Sequence, residues 1–168
     1  MARQKSISDQ DIHAHLLALL AESGEKALSF GALSQRCGLA PATLAQRFGS
    51  VDAMIRAALL AEWSRLQFAV AESEADAVLS SKGAQALLKR LPCPSPAVLA
   101  LSLRDPEVVQ AAQDWRAKVE AALAMRKGGG SKGREAAALI FAAWQGRQIW
   151  EAAGGKSFRL ADMLKAIG

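Results

Sequence analysis

Apolar residues recur at spacings of three and four along most of the chain, which is the period of an amphipathic α-helix. The first such segment follows Ser8 and runs to about Ser23, where Gly24 ends it. A second segment begins after Ser50, extends over roughly 25 residues and ends in acidic residues. The apolar stripes of these two segments are Ile12, Leu16, Leu19 and Leu20, and then Ile55, Leu59, Trp63, Leu66 and Val70.

Five shorter helical segments follow, separated by helix-breaking residues. Dense prolines between 92 and 96 and the glycine-rich run RKGGGSKG between 126 and 133 predict loops. Ser95-Pro96 and Asp105-Pro106 each combine an N-cap residue with proline at the first helical position. The predicted segments are Lys82 to Leu91, Pro96 to Leu103, a helix from Pro106, a helix from about Ser131 through Trp150, and a last helix after Ser157.

This pattern predicts an all-α protein, and the composition agrees. Hydrophobic residues make up 51% of the 168 residues. Alanine and leucine, which favour helices, account for much of that fraction, and β-branched runs are few. We expect an N-terminal helical domain over residues 1–50 and a second helical domain over residues 51–168.

Residues 29–48 predict a short helix, a tight turn and a second short helix. Phe30, Leu33 and Cys37 lie on one face of the first helix. Gly38 can adopt a positive φ and suits a sharp turn between helices. Pro41 is favourable in the first turn of the next helix, whose Leu44 and Phe48 face inward. This is the pattern of a helix-turn-helix unit.

The outward residues of the second short helix have side chains that suit a DNA major groove. Thr43 and Gln46 can hydrogen-bond base edges, and Pro41 and Ala42 can contact a thymine methyl group. Arg47 can bind phosphate or guanine. Ser29 caps the first short helix, where a phosphate can also bind. A solvated helix face is the alternative for each. The candidate DNA-binding residues are Ser29, Pro41, Ala42, Thr43, Gln46 and Arg47.

Residues 7 to about 60 resemble the DNA-binding domain of TetR-family bacterial transcriptional regulators. The residues in matching order are Gly24, Ser29, Cys37-Gly38-Leu39-Ala40, Phe48, Gly49-Ser50 and the helix from Val51. The match covers about a third of the chain with motifs and the remainder by helical layout. The resemblance implies a homodimer that binds a palindromic operator in double-stranded DNA. It also implies release from DNA by a small-molecule effector, repression being the commoner behaviour.

Two positions depart from the family pattern. The family usually has a tyrosine in the recognition helix and a lysine opening the fourth helix, and both commonly touch phosphates. Here these positions are Ala45 and Val51. Loss of two phosphate contacts weakens DNA binding and its salt dependence. The alternative function is therefore a TetR-like helical dimer that has lost specific DNA binding and acts through protein contacts.

The resemblance also implies an effector pocket and a dimer interface in residues 51–168. The last two long helices of the family pair with their copies in a second subunit. Ordinary core packing within one chain is the alternative for both sets. The candidate pocket residues are Trp63, Leu66, Trp115, Val119 and Trp144. The candidate interface residues are Leu139, Ala143, Gly146, Trp150, Leu160 and Leu164.

The net charge of +5 tolerates a polyanionic partner, but residues 1–50 carry only five Lys/Arg against four Asp/Glu. The motif, and not the charge, therefore indicates DNA. His13 and His15 point apart on a helix, so no metal site is expected. The two cysteines and the polar N-terminus favour a reduced cytoplasmic protein without a signal peptide or membrane segment. No nucleophile–base pair, phosphate loop or dinucleotide motif is present, so neither an enzyme nor a cofactor is expected.

Overall fold

A computed structural model describes residues 7–78, 83–154 and 158–167 of the chain. This part of the chain is all-helical and contains no strand, which confirms the predicted all-α class. Short 3₁₀ turns follow the first and eighth helices. The helices are α1 Asp9–Ser23, α2 Phe30–Cys37, α3 Pro41–Phe48, α4 Val51–Val78, α5 Gly83–Arg90, α6 Pro96–Ser102, α7 Pro106–Arg126, α8 Gly130–Trp150 and α9 Leu160–Ala166.

Helix starts follow the predicted caps closely. Ser8 and Asp11 form a reciprocal capping box in which the Ser8 hydroxyl accepts from the Asp11 amide at 3.1 Å. The Ser50 and Ser95 hydroxyls accept from the amides three residues on, at 3.0 and 3.2 Å. The predicted starts at Lys82 and Ser157 lie outside the described residues.

The contacts between residues divide the chain into two compact units. One unit contains the residues up to Trp63 together with Ser95–Val109, and the other contains Ser64–Pro94 together with the residues from Gln110 onward. The first unit therefore holds α1, α2, α3, α6 and the beginnings of α4 and α7. The second holds α5, α8, α9 and the rest of α4 and α7. The predicted domain boundary at residue 50 stays a prediction.

The core of the first unit is built largely from the predicted apolar positions, and Met54 of α4 adds to them. Ile12, Leu33, Leu44 and Met54 have no exposed side-chain surface and bring α1, α2, α3 and α4 into one interior. Trp63 lies in the same unit and donates its indole N–H to the Ser102 hydroxyl at 2.9 Å. Burial of these side chains stabilises the fold by about 25 cal/mol per Å² of apolar surface removed from water.

An aromatic cluster forms part of the core of the second unit. Trp115 of α7 lies 5.7 Å from Phe141 and 6.3 Å from Trp144 of α8, measured between ring centroids. Such tilted and edge-on pairs are favourable beyond the area that they bury. Where α7 ends and α8 begins, a Cβ at Gly133 would lie 3.0 Å from the Ala124 carbonyl oxygen. Glycine therefore permits the close approach of these two helices.

The last two helices differ from expectation. Only residues 127–129 separate α7 from α8, because positive φ angles at Gly128, Gly129 and Gly130 turn the chain tightly. The predicted loop through Gly133 is therefore too long. The resemblance implies two long final helices, but α9 has seven residues. Gly154 ends the preceding 3₁₀ turn in the left-handed conformation, and α9 begins at Leu160.

No helix in the described ranges is both long and apolar enough to cross a bilayer.

Candidate nucleic-acid interface

The turn between α2 and α3 has the geometry that its sequence predicts. Gly38 adopts a left-handed conformation with φ of 73°, and its N–H donates to the Ser34 carbonyl at 2.9 Å. This closes the end of α2 in the manner of a glycine C-cap. Pro41 occupies the first position of α3, and the Ala40 carbonyl accepts from the Leu44 amide at 3.2 Å. Two eight-residue helices are thus joined by three residues.

One buried residue fixes the face that α3 presents. Leu44 is fully buried, so residues one or two positions away on the helix point in other directions. Phe48, four residues on, is half-buried and lies 5.9 Å from the His13 ring of α1. The predicted contact residues of this helix are all exposed: Pro41, Ala42, Thr43, Gln46 and Arg47.

Ser29 is exposed at the start of α2. Its hydroxyl accepts a hydrogen bond from the Ala32 amide at 3.1 Å, so it acts as the predicted N-cap. A hydroxyl in this position can still donate its own proton to an anion at the helix N-terminus.

The Arg47 side chain is held by the protein itself. Its Nε lies 2.6 Å from Asp9 Oδ1, and its Nη1 donates to the Ile7 carbonyl at 3.0 Å. The Arg47 guanidinium of α3 is therefore anchored to the start of α1, and the Asp9 carboxylate balances its charge. Arg36 of α2 likewise forms an ion pair with Glu22 of α1. Sequence spacing carried no signal for either pair.

His13 belongs to α1, and its ring faces Phe48 of α3. Its Nε2 is buried without a hydrogen-bond partner in the described part of the chain. Burial lowers the pKa of the imidazole below 6.5, with Asp9 opposing this shift and Arg47 adding to it. The ring is therefore neutral near pH 7 and serves as a packing surface for Phe48.

The two departures from the family pattern are Ala45 of α3 and Val51 at the start of α4. Ala45 and Val51 are both half-buried. Neither side chain can donate a hydrogen bond to a phosphate. The exposed face of α3 thus carries two polar side chains, Thr43 and Gln46, and one arginine that is already paired.

The predicted effector-pocket residues lie in the interior. Trp63, Leu66 and Val119 have no exposed surface, and Trp115 and Trp144 are each 2% exposed. Trp63 belongs to the first unit and the other four to the second. None of the five lines the described cavities of about 380, 230 and 390 Å³. The apolar stripe in the sequence marks core positions, and their role in a pocket stays a prediction.

The predicted dimer-interface residues lie largely at the surface. Leu139 and Trp150 of α8 are 61% and 64% exposed. Ala143 and Gly146, which lie between them on α8, are half-buried, as are Leu160 and Leu164 of α9. Ala143, Gly146 and Trp150 line a groove of about 380 Å³, in which the Arg147 guanidinium lies 5.9 Å over the Phe158 ring.

Both cysteines are free thiols. Cys93 donates to the Gln145 side-chain oxygen at 3.3 Å, and burial raises the pKa of its thiol to about 11. Cys37 is buried in α2. The described residues contain no group of three or more His, Cys, Asp or Glu side chains placed to hold a metal ion.

Sequence reasoning missed a charged cleft in the first unit. Arg56 Nε of α4 lies 2.5 Å from Asp105 Oδ2, and Arg104 Nη1 lies 2.5 Å from Glu25 Oε1. Asp105 was recognisable as the cap of α7, but its partner is 49 residues away in the chain. No local pattern reports such a pair.

No protein-family model, curated protein or solved structure matches this chain. The function proposed for it rests on its own residues and contacts.

Proposed function

We propose that this chain is a TetR-like, homodimeric, DNA-binding transcriptional regulator, a repressor that a small-molecule effector releases from its operator. The observation that carries the proposal is the α2–turn–α3 unit. Two short helices meet at a left-handed Gly38, and a buried Leu44 leaves Thr43 and Gln46 exposed. Helix-turn-helix proteins use this arrangement to place a second helix in the major groove.

Each exposed side chain of α3 has a matching chemical role on DNA. Thr43 and Gln46 would hydrogen-bond base edges, and Pro41 and Ala42 would contact thymine methyl groups. Arg47 would leave Asp9 for a phosphate or a guanine edge. Ser29 and the N-terminus of α2 would hold a second phosphate, since that helix end presents unpaired amide groups.

The exposed apolar residues of α8 support dimerisation. Leu139 and Trp150 together present an apolar surface that a second copy of the chain would cover. The half-buried Leu160 and Leu164 of α9 would add to this interface. Two recognition helices would then occupy successive major grooves of a near-palindromic site.

An effector would act by population shift. A ligand that binds better to a conformation whose recognition helices do not fit successive grooves lowers the fraction of DNA-competent dimer. The buried aromatic residues Trp115 and Trp144 would have to separate to admit such a ligand, because they now pack against one another.

A second candidate function is favoured by specific observations. Ala45 and Val51 provide no phosphate contacts, and Arg47 is paired with Asp9. A TetR-like helical dimer that has lost specific DNA binding and acts through protein contacts would also have these features. It would show no salt-dependent preference for any duplex.

A fluorescence-anisotropy titration separates the two. The protein is titrated against DNA from immediately upstream of its own gene and against a random duplex of equal length, each at several salt concentrations. A preference for the upstream DNA, with log affinity falling linearly against log salt, would support the regulator. Equally weak binding to both duplexes would shift support to the protein-contact function or to an operator elsewhere.

A further inference from the structure

The charged cleft of the first unit has a floor and a rim of different chemistry. It encloses about 230 Å³. Its floor is apolar and is formed by Ile55 and Leu59 of α4, Leu101 of α6 and Val108 of α7. Pockets for drug-sized ligands enclose about 300–1,000 Å³. The cleft therefore suits a smaller molecule that has an apolar part.

The rim carries two guanidinium groups, of Arg56 and Arg104, and three carboxylates, of Glu25, Asp52 and Asp105. At neutral pH the rim therefore has one net negative charge. The ion pairs Arg56–Asp105 and Arg104–Glu25 account for both arginines. Asp52 forms no ion pair or hydrogen bond within the described part of the chain, and its carboxylate interacts with Arg56 only through charge.

The two arginines are poorly available to an anionic ligand. The pKa of Arg56 is raised by its hydrogen bond and charge interaction with Asp105, and to a smaller extent by Glu107 and Asp52. An incoming carboxylate would have to compete with these groups. Asp105 is occupied as well, since its Oδ1 caps α7 by accepting from the Glu107 amide at 3.0 Å while its Oδ2 holds Arg56.

Acceptor oxygens do remain open at the same rim. Both carboxylate oxygens of Asp52 are open, and Glu25 uses only Oε1 for Arg104 in the described structure. A group that donates several hydrogen bonds and carries one positive charge would complement this arrangement without breaking either ion pair.

We propose that this cleft binds a small organic cation, namely a primary ammonium group attached to a short aliphatic chain. The ammonium lies at Asp52, and the chain lies against Ile55 of α4 and Leu101 of α6. The role of this ligand as an effector rests on the regulator function proposed above. Its binding to the cleft does not depend on that function.

Three probes with the same six-carbon chain test the proposal: hexylammonium chloride, hexanol and sodium hexanoate. Each is titrated into the full-length ¹⁵N-labelled protein, and amide chemical shifts are followed without DNA. We expect hexylammonium to shift the amides around the cleft and to bind up to about fivefold more tightly than hexanol, as an ion pair with an exposed carboxylate provides. Hexanoate should bind no better than hexanol.

The Asp52→Asn variant tests the assigned charge. Asp52 is exposed, so the fold tolerates the change. Hexylammonium should bind this variant about as weakly as hexanol, and the hexanol affinity should not change. Glu72→Gln removes an exposed carboxylate from the same helix, outside the cleft, and should leave hexylammonium binding unchanged.

Two results would overturn the site: hexanoate binding as tightly as hexylammonium, or hexylammonium affinity that Asp52→Asn does not change. The DNA titration tests the regulator function independently of the ligand site. A protein that binds hexylammonium in the cleft but prefers no DNA would overturn the regulator function and retain the site. A protein that prefers its upstream DNA, but whose amides around the cleft do not shift with hexylammonium, would retain the regulator function and overturn the site.

Discussion

Asp9, in the first turn of α1, holds Arg47, in the last turn of α3, through a 2.6 Å contact between Oδ1 and Nε. The pair is partly exposed, so its effect on stability is about 0–1 kcal/mol. For the DNA-binding function proposed above the pair matters more, because it determines whether the Arg47 guanidinium is available to a phosphate.

We expect Asp9→Asn to strengthen DNA binding and to steepen the salt dependence by up to about 0.9 in the log–log slope, the value for one added phosphate contact. Arg47→Ala should weaken binding. Anisotropy titrations at several salt concentrations measure both effects. Glu120→Gln frees Arg116 on α7 in the same way and serves as the control. If neither Asp9→Asn nor Arg47→Ala changes DNA affinity, then Arg47 does not contact DNA.

Restoring the two absent phosphate contacts should also strengthen binding. The double variant Ala45→Tyr, Val51→Lys adds two donors beside α3, and each should steepen the salt slope by up to about 0.9. The same titration measures this. Unchanged affinity and slope would show that α3 is not aligned with the recognition helix of the family.

The exposed apolar surface of α8 predicts the oligomeric state. Sedimentation equilibrium should give a mass near twice 17.7 kDa for the native chain. Leu139→Glu with Trp150→Glu should give a monomer, since two charges would be buried unpaired in the interface. Leu103→Glu changes a residue of the first unit that is 74% exposed and should leave the dimer intact. A native monomer would exclude this face as a dimer interface.

His13 makes stability depend on pH. Its folded-state pKa is lowered, so below about pH 6.5 the unfolded chain binds more protons and stability falls as the pH falls. Above that pH the stability is fully present. Thermal melts at about pH 7.5 and about pH 5.5 should show a smaller decrease for His13→Gln than for the native chain. Equal decreases in both proteins would assign the effect to other groups.

The turn between α2 and α3 requires glycine at only one position. Gly38→Ala places a Cβ on a left-handed residue and should lower the free energy of unfolding by about 1–2 kcal/mol. Gly31→Ala, inside α2, meets only an ordinary contact of 3.9 Å and should raise it by up to about 1 kcal/mol. Chemical denaturation measures both. A neutral Gly38→Ala would contradict the left-handed conformation.

The helices were predictable because their signals are local. Ser8, Pro41 and Asp105-Pro106 each mark a helix start within one turn of the residue itself. The burial of Leu33 and Leu44 follows from helical periodicity in the same way. The start of α9 at Leu160 was not predictable, since its N-cap, Arg159, makes no side-chain capping hydrogen bond.

Charge pairing in the candidate sites could not be predicted, because the partners lie far apart in the sequence. Arg104 and Glu25 are separated by 79 residues, and Arg47 reaches a carbonyl 40 residues away. The periodic pattern also did not indicate which face of α8 is buried, because this helix has apolar residues around its whole circumference. It could not tell that Trp144 is buried whereas Trp150 is exposed.

That last contrast gives the chain a natural optical probe. Trp63, Trp115 and Trp144 are buried at 0–2% exposure, whereas Trp150 is 64% exposed. Since these are the four tryptophans of the chain and there is no tyrosine, the ultraviolet emission of a single copy divides into an apolar component and one aqueous indole. Acrylamide would selectively quench the aqueous component. Anything that covers this end of α8 would shift its emission to the blue and protect it from the quencher, with no dye attached.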